Sequence, residues 1–96
     1  MAYLIIARDR PGSAALRGEL RPEHLAHLDR HAAQILAAGP MLTEDGQSPC
    51  GSMIVLDSDD RAAVEAFLAA DPYTKGGLFA EVELRPWRRV FLDGKR

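Results

Sequence analysis

Two stretches constrain what this 96-residue chain can become: residues 2–7 (Ala-Tyr-Leu-Ile-Ile-Ala) and residues 50–56 (Cys-Gly-Ser-Met-Ile-Val-Leu) put apolar side chains on both sides of an extended backbone. Runs this short, the first stopped by Arg8-Asp9-Arg10-Pro11-Gly12, read as interior strands covered on both faces. Over residues 78–84, Leu78, Ala80, Val82 and Leu84 alternate with Phe79, Glu81 and Glu83, which predicts a half-buried strand. Helical spacing fills the intervals. From Ser13, and beyond Pro22 through Leu25, Leu28, Ala32, Ile35 and Leu36, apolar residues recur every three or four positions until Gly39-Pro40. Pro22 stands where an interior proline would divide that helix. Residues 41–43 are expected as a short strand. Ser58 is the expected N-cap of a second helix, with Ala63, Val64, Phe67 and Leu68 as its apolar stripe and Asp71-Pro72 as its stop.

Strand, helix, strand, strand, helix, strand is the split βαβ pattern. In it the first and third strands occupy the middle of the sheet, which suits the two runs that are apolar on both sides. Two helices cover only one sheet face, so the other is expected to be buried against a second copy. Length argues the same way, since a single domain of this mass hides roughly 60–65% of its extended surface, near the low end for independent stability.

The net charge is −2, which excludes a strong general attraction to nucleic acid. The average conceals a basic C-terminal extension: residues 85–96 hold Arg85, Arg88, Arg89, Lys95 and Arg96 against Asp93, or +4, which leaves −6 for residues 1–84. Trp87-Arg88-Arg89-Val90-Phe91 mixes aromatics with cations as a nucleic-acid arm does, but a tail packed on the protein itself or its partner accounts for it. No apolar run approaches the ~20 residues needed to span a bilayer, and Cys50, being single, can form no internal disulfide. A single domain, residues 1–96, in the cytoplasm and without membrane or nucleic-acid partner is the expectation.

Three histidines, His24, His27 and His31, recur on the first helix. Positions seven apart lie about 10 Å apart along the axis, too far for both ends to ligate one ion with the middle, so no metal site is expected. His27 and His31 read as solvated flank residues. His24 stands at the margin of the apolar stripe, where an imidazole can either fill a structural role or face a groove as a general base. Asp71 ends a helix at the dipole end that disfavours its charge; it is either a turn-forming Asp-Pro or a carboxylate that orients an imidazole. Cys50, at the head of an interior strand, is expected to be a small core residue. None of the glycines forms a phosphate-binding fingerprint.

Leu20-Arg21-Pro22-Glu23-His24-Leu25-Ala26-His27-Leu28, the Ala38-Gly39-Pro40 exit, and Ala70-Asp71-Pro72-Tyr73 followed by Gly76 resemble the YciI-like (YCII-related) family from Tyr3 to about Phe91. The resemblance implies a ferredoxin-like α+β fold, βαββαβ, with an antiparallel sheet, two helices on one face, and pairing into a dimeric α+β barrel. It implies a site in which His24 faces Asp71, with Asp9 at the end of the first strand also matching the family pattern. His24 would accept a proton, Asp71 would orient it, and Tyr73 and Arg17 would contact substrate. Tyr73 packing on the sheet and Arg17 lying in solvent are the plainer alternatives. Two functions follow: an enzyme without metal or redox cofactor, moving a proton on a small cyclic or aromatic metabolite in an elimination or isomerisation, or a non-catalytic small-ligand or assembly module of the same shape.

Overall fold

The computed structural model describes residues 1–96. In chain order it contains β1 (Ala2–Asp9), α1 (Ala14–Arg30), a 3₁₀ turn (Ala32–Gln34), β2 (Ile35–Leu42), β3 (Pro49–Leu56), α2 (Arg61–Ala70), the one-turn helix α3 (Pro72–Lys75) and β4 (Phe79–Trp87). All pairings are antiparallel and the strand order is β2-β3-β1-β4. This is the ferredoxin-like arrangement, with the two runs apolar on both sides in its middle. No helix is long and apolar enough to cross a membrane.

The first helix departs most from expectation. It runs unbroken through Pro22 and stops at Arg30, and residues 35–42, expected as its C-terminal turns and a short strand, all belong to β2. Ala-Ala-Gln-Ile-Leu-Ala-Ala is a sequence of good helix formers, but Ile35, Ala37, Ala38 and Gly39 pair with Leu56, Val55, Ile54 and Met53 of β3. Tertiary pairing outweighs the local preference. Pro40 is tolerated there because β2 is an edge strand with one row of backbone groups unpaired, and Pro86 sits likewise in edge strand β4. The second helix is capped by Asp60, which accepts the Ala62 N–H at 3.0 Å, and Ser58 instead accepts the Asp60 N–H. The basic extension begins inside β4, which holds Arg85 through Trp87.

The core joins Tyr3 and Ile5 of β1, Ile54 and Leu56 of β3, and Val64 and Phe67 of α2, with Leu28 of α1 packed beside them. In α1 itself the buried residues are Arg17, His24 and His27, not an apolar stripe, and Leu25 is 38% exposed. These positions fall on one side of the helix at three- and seven-residue spacing. His27 and His31 are correspondingly not solvated flanks. His27 is 1% exposed and donates from Nε2 to the Phe67 carbonyl at 3.1 Å; His31 is half-buried, with Nδ1 donating to the His27 carbonyl. Cys50 is exposed rather than in the core, because β3 is covered only from Gly51 onward. Gly51 itself admits no side chain: a Cβ there would lie 2.5 Å from the Ala7 carbonyl oxygen and from the Met41 methyl.

Alternation sends Leu4 and Ile6 to the sheet face opposite the core, across from Val55 and Met53 of β3. That face also carries Arg8, Glu81, Glu83 and Arg85, arranged as Arg8–Glu81 and Arg85–Glu83 ion pairs.

Candidate active site

Asp71 is the C-terminal cap of α2 and at once the N-cap of α3. The charge that looked misplaced at a helix end is therefore received by the start of the next turn, where backbone N–H groups point outward. Its Oδ1 accepts the Tyr73 N–H at 2.9 Å and the His24 Nδ1–H at 2.8 Å. With Asp71 only 1% exposed, the carboxylate is held for those two donors. The neutral His24 ring consequently keeps its proton on Nδ1 and its lone pair on Nε2. Nε2 has no partner within the chain and is not shut in the interior, and His24 lines a cleft of about 400 Å³.

Tyr73 places the imidazole. Its ring stacks on His24 with centroids 3.8 Å apart and planes 13° from parallel, while the Arg17 guanidinium carbon lies 4.7 Å from the Tyr73 centroid. His24 occupies one face of the ring, and seven residues of helix carry Arg17 about 10 Å along the axis from it, so Tyr73 is wedged between the two. Phe79 closes the stack edge-on. Burial pushes the Tyr73 phenol up from its usual acidity, against the opposing charges of Arg17 and Arg21, so it is a neutral group at physiological pH.

Arg17 is buried, not solvated. Its Nε and Nη2 meet Asp9 Oδ2 and Oδ1 at 2.7 and 3.0 Å, and Nη2 also donates to Ser52 Oγ at 2.9 Å. Burial works against the guanidinium charge, but the hydrogen bond and charge of Asp9 hold its pKa above the ordinary value. Asp9 thus meets the site through Arg17 and does not line the cleft. Of the residues expected from sequence, His24, Asp71, Tyr73, Arg17 and Asp9 form one contiguous network.

Two further residues belong to the cleft and were not anticipated. Ser52 lies in an otherwise apolar interior strand, and a lone hydroxyl at an inward position next to Gly51 was the available signal. Arg21 follows Arg17 by one helical turn and lines the same cleft. The space itself comes from small residues: Ala14 and Gly18 on α1 face Ala38, Gly39 and Pro40 on β2, with Leu25, Leu28 and Ile54 as apolar wall.

The three histidines each spend one ring nitrogen on a different acceptor, Asp71, the Phe67 carbonyl and the His27 carbonyl.

The YCII-related domain profile matches residues 1–88. Protein YciI of Escherichia coli O6:H1 is 34% identical over 98 aligned positions, covering 95% of this chain and all of that one. Among solved structures, the 5-chloro-2-hydroxyhydroquinone dehydrochlorinase TftG of Burkholderia phenoliruptrix, in complex with 2,5-dihydroxybenzoquinone, superposes with a TM-score of 0.85 at 35% identity, over 92% of this chain and 94% of its own. A Bacteroides thetaiotaomicron protein assigned to the antibiotic biosynthesis monooxygenases shares the fold, with a TM-score of 0.61 at 15% identity over all of this chain and 94% of that one.

Proposed function

The chain belongs to the YCII-related family, and on that footing we propose that it is a small-molecule enzyme in which His24 and Asp71 form a general acid/base pair acting on a small cyclic or aromatic metabolite. The observation that carries this reading is the 2.8 Å bond from His24 Nδ1 to a buried carboxylate, which leaves Nε2 as a lone-pair donor facing the cleft. Likeness to a dehydrochlorinase of a hydroxylated, chlorinated ring supports the substrate class.

The chemistry balances without another reactant. Nε2 takes a proton from an acidic O–H or C–H of the ring, and the freed electron pair moves into the conjugated system. Where a ring carbon bears chlorine, that carbon first takes the proton from Nε2 and becomes tetrahedral; a second O–H proton then passes to Nε2 as chloride departs with its bonding pair, and HCl is lost overall. Where there is no leaving group, the proton returns from Nε2 to another carbon and the result is isomerisation. The Asp71 carboxylate steadies the imidazolium and keeps the ring from rotating.

The working unit is a homodimer in this reading. Leu4, Ile6, Met53 and Val55 form an apolar strip on the sheet face without helices, and the flanking ion pairs of both signs suit a self-complementary two-fold contact.

The test is a turnover screen with chlorinated hydroxyhydroquinones, lactones and enol acids, followed by ultraviolet absorbance and chloride release. Turnover by the wild type that His24→Ala abolishes supports the dyad. Equal turnover by His24→Ala removes it, and ligands that bind in the cleft yet are never turned over reassign the protein as a binding module.

A further inference from the structure

The chain is net acidic, yet its cleft is not. Two arginines and one histidine line it, with no carboxylate among the lining residues. Asp9 and Asp71 are both turned to partners behind the wall. Arg17 uses Nε and Nη2 on Asp9 and Ser52 and has the Tyr73 phenol beside it as a further acceptor, whereas Arg21 makes no ion pair or hydrogen bond with the chain at all. Arg21 is also near enough for its charge to act on the Tyr73 phenol.

We propose that the cleft selects an anionic ring: a phenolate, enolate or carboxylate oxygen held by the unpartnered Arg21 in the field of the buried Arg17, with the ring face against Leu25, Leu28 and Ile54 and its reactive proton toward His24. This deepens the acid/base reading above and rests on it for the orientation of the ring. Helix geometry supports the span. Arg17, Arg21 and His24 are spaced i, i+4 and i+7, so the arginines lie about 6 Å apart along the axis and His24 roughly 5 Å beyond Arg21, which is the scale of one substituted six-membered ring. The guanidinium fork is the side chain best suited to hold an oxyanion. Placed there before reaction, the two cations also stabilise the negative charge that develops on the ring as Nε2 removes the proton, in a cleft whose apolar walls limit screening. Asp9 has a part in this: its two oxygens on Nε and Nη2 fix the Arg17 guanidinium in place beside the cleft.

The test is calorimetric binding of two probes near neutral pH, 2,5-dihydroxybenzoquinone as the anion and hydroquinone as the uncharged ring. The wild type should bind the anion about tenfold or more tightly over hydroquinone, as a charge-assisted contact implies. Arg21→Gln should remove most of that preference, flatten its dependence on salt, and leave hydroquinone affinity unchanged. Equal binding of the two probes by the wild type, a parallel loss of both in Arg21→Gln, or no binding of the anion up to about 10 mM overturns the proposal. His24→Gln separates the two ideas. If it keeps the preference for the anion and loses turnover, both stand. If it keeps turnover, the dyad falls while the selectivity for anions is judged on Arg21 alone.

Discussion

Asp71 Oδ1 accepts from His24 Nδ1 and from the Tyr73 N–H, so one carboxylate oxygen ties an imidazole on α1 to the first turn of α3. Asp71→Asn keeps the shape and weakens the acceptor, and an amide can present N–H where oxygen stood. The His24 ring would then be free to reverse its tautomer. Turnover should fall about a hundredfold or more, on the scale of general acid/base contributions, and ¹⁵N chemical shifts of the ring should show that the Nδ1–H form no longer dominates. Because Asp71 acts through His24, that spectroscopic change must accompany the loss of rate; a slow variant with a wild-type His24 spectrum removes the positioning role.

Tyr73 is 1% exposed and separates His24 from Arg17. Tyr73→Ala should cost about 3–5 kcal/mol, as for other large buried aromatics, measured by urea denaturation, and should let both neighbours move. Tyr73→Phe preserves the stack and should retain most of the stability. If the phenylalanine variant loses as much as the alanine one, the hydroxyl and not the ring carries the packing.

His27 gives the fold a pH dependence. Burial lowers its pKa below the ordinary 6.5, with the Asp71 charge opposing. The unfolded chain therefore binds a proton more readily than the folded one at mildly acid pH. Stability from this group is complete above 6.5 and declines as pH falls through the window between that value and the lower folded one. The Tm should drop between about pH 7.5 and 5.5. His27→Gln can still donate to the Phe67 carbonyl but cannot titrate, so its drop should be smaller. An undiminished drop in that variant places the titration elsewhere.

Ile6 projects from β1 to the helix-free sheet face, opposite Met53. Ile6→Glu places a charge in the centre of the proposed subunit contact, where an unpaired charge strongly opposes burial. Light scattering after size exclusion should find a dimer for the wild type and a monomer for the variant. A monomeric wild type removes the dimer outright.

How far these features were legible in the sequence follows from what each residue responds to. Strands β1 and β3 were readable because a short extended run with apolar side chains on both faces is stable only when both faces are covered. The junction at residues 31–42 was not, because alanines and leucine prefer helix locally while pairing with β3 decides their state. His24 and Asp71 were recognised through a family pattern. Spacing alone could not bring together positions 47 residues apart. Arg17 was expected as a substrate contact only through the family resemblance, since arginine is usually outside, and only Asp9, Ser52 and Tyr73 together make its burial tolerable. Arg21 gave no sign, since a helix arginine announces a binding role only when the opposite wall is known.

The cleft has one wall strung with polar groups on α1 and another of Ala38, Gly39 and Pro40 on an edge strand. Reactivity and capacity are thus written on separate pieces of the chain. Exchanging the side chain at Ala38 would enlarge or shrink the cleft without disturbing the imidazole, its carboxylate or the guanidiniums. That separation would let one small scaffold take ligands of different size while the proposed His24–Asp71 pair stays in place.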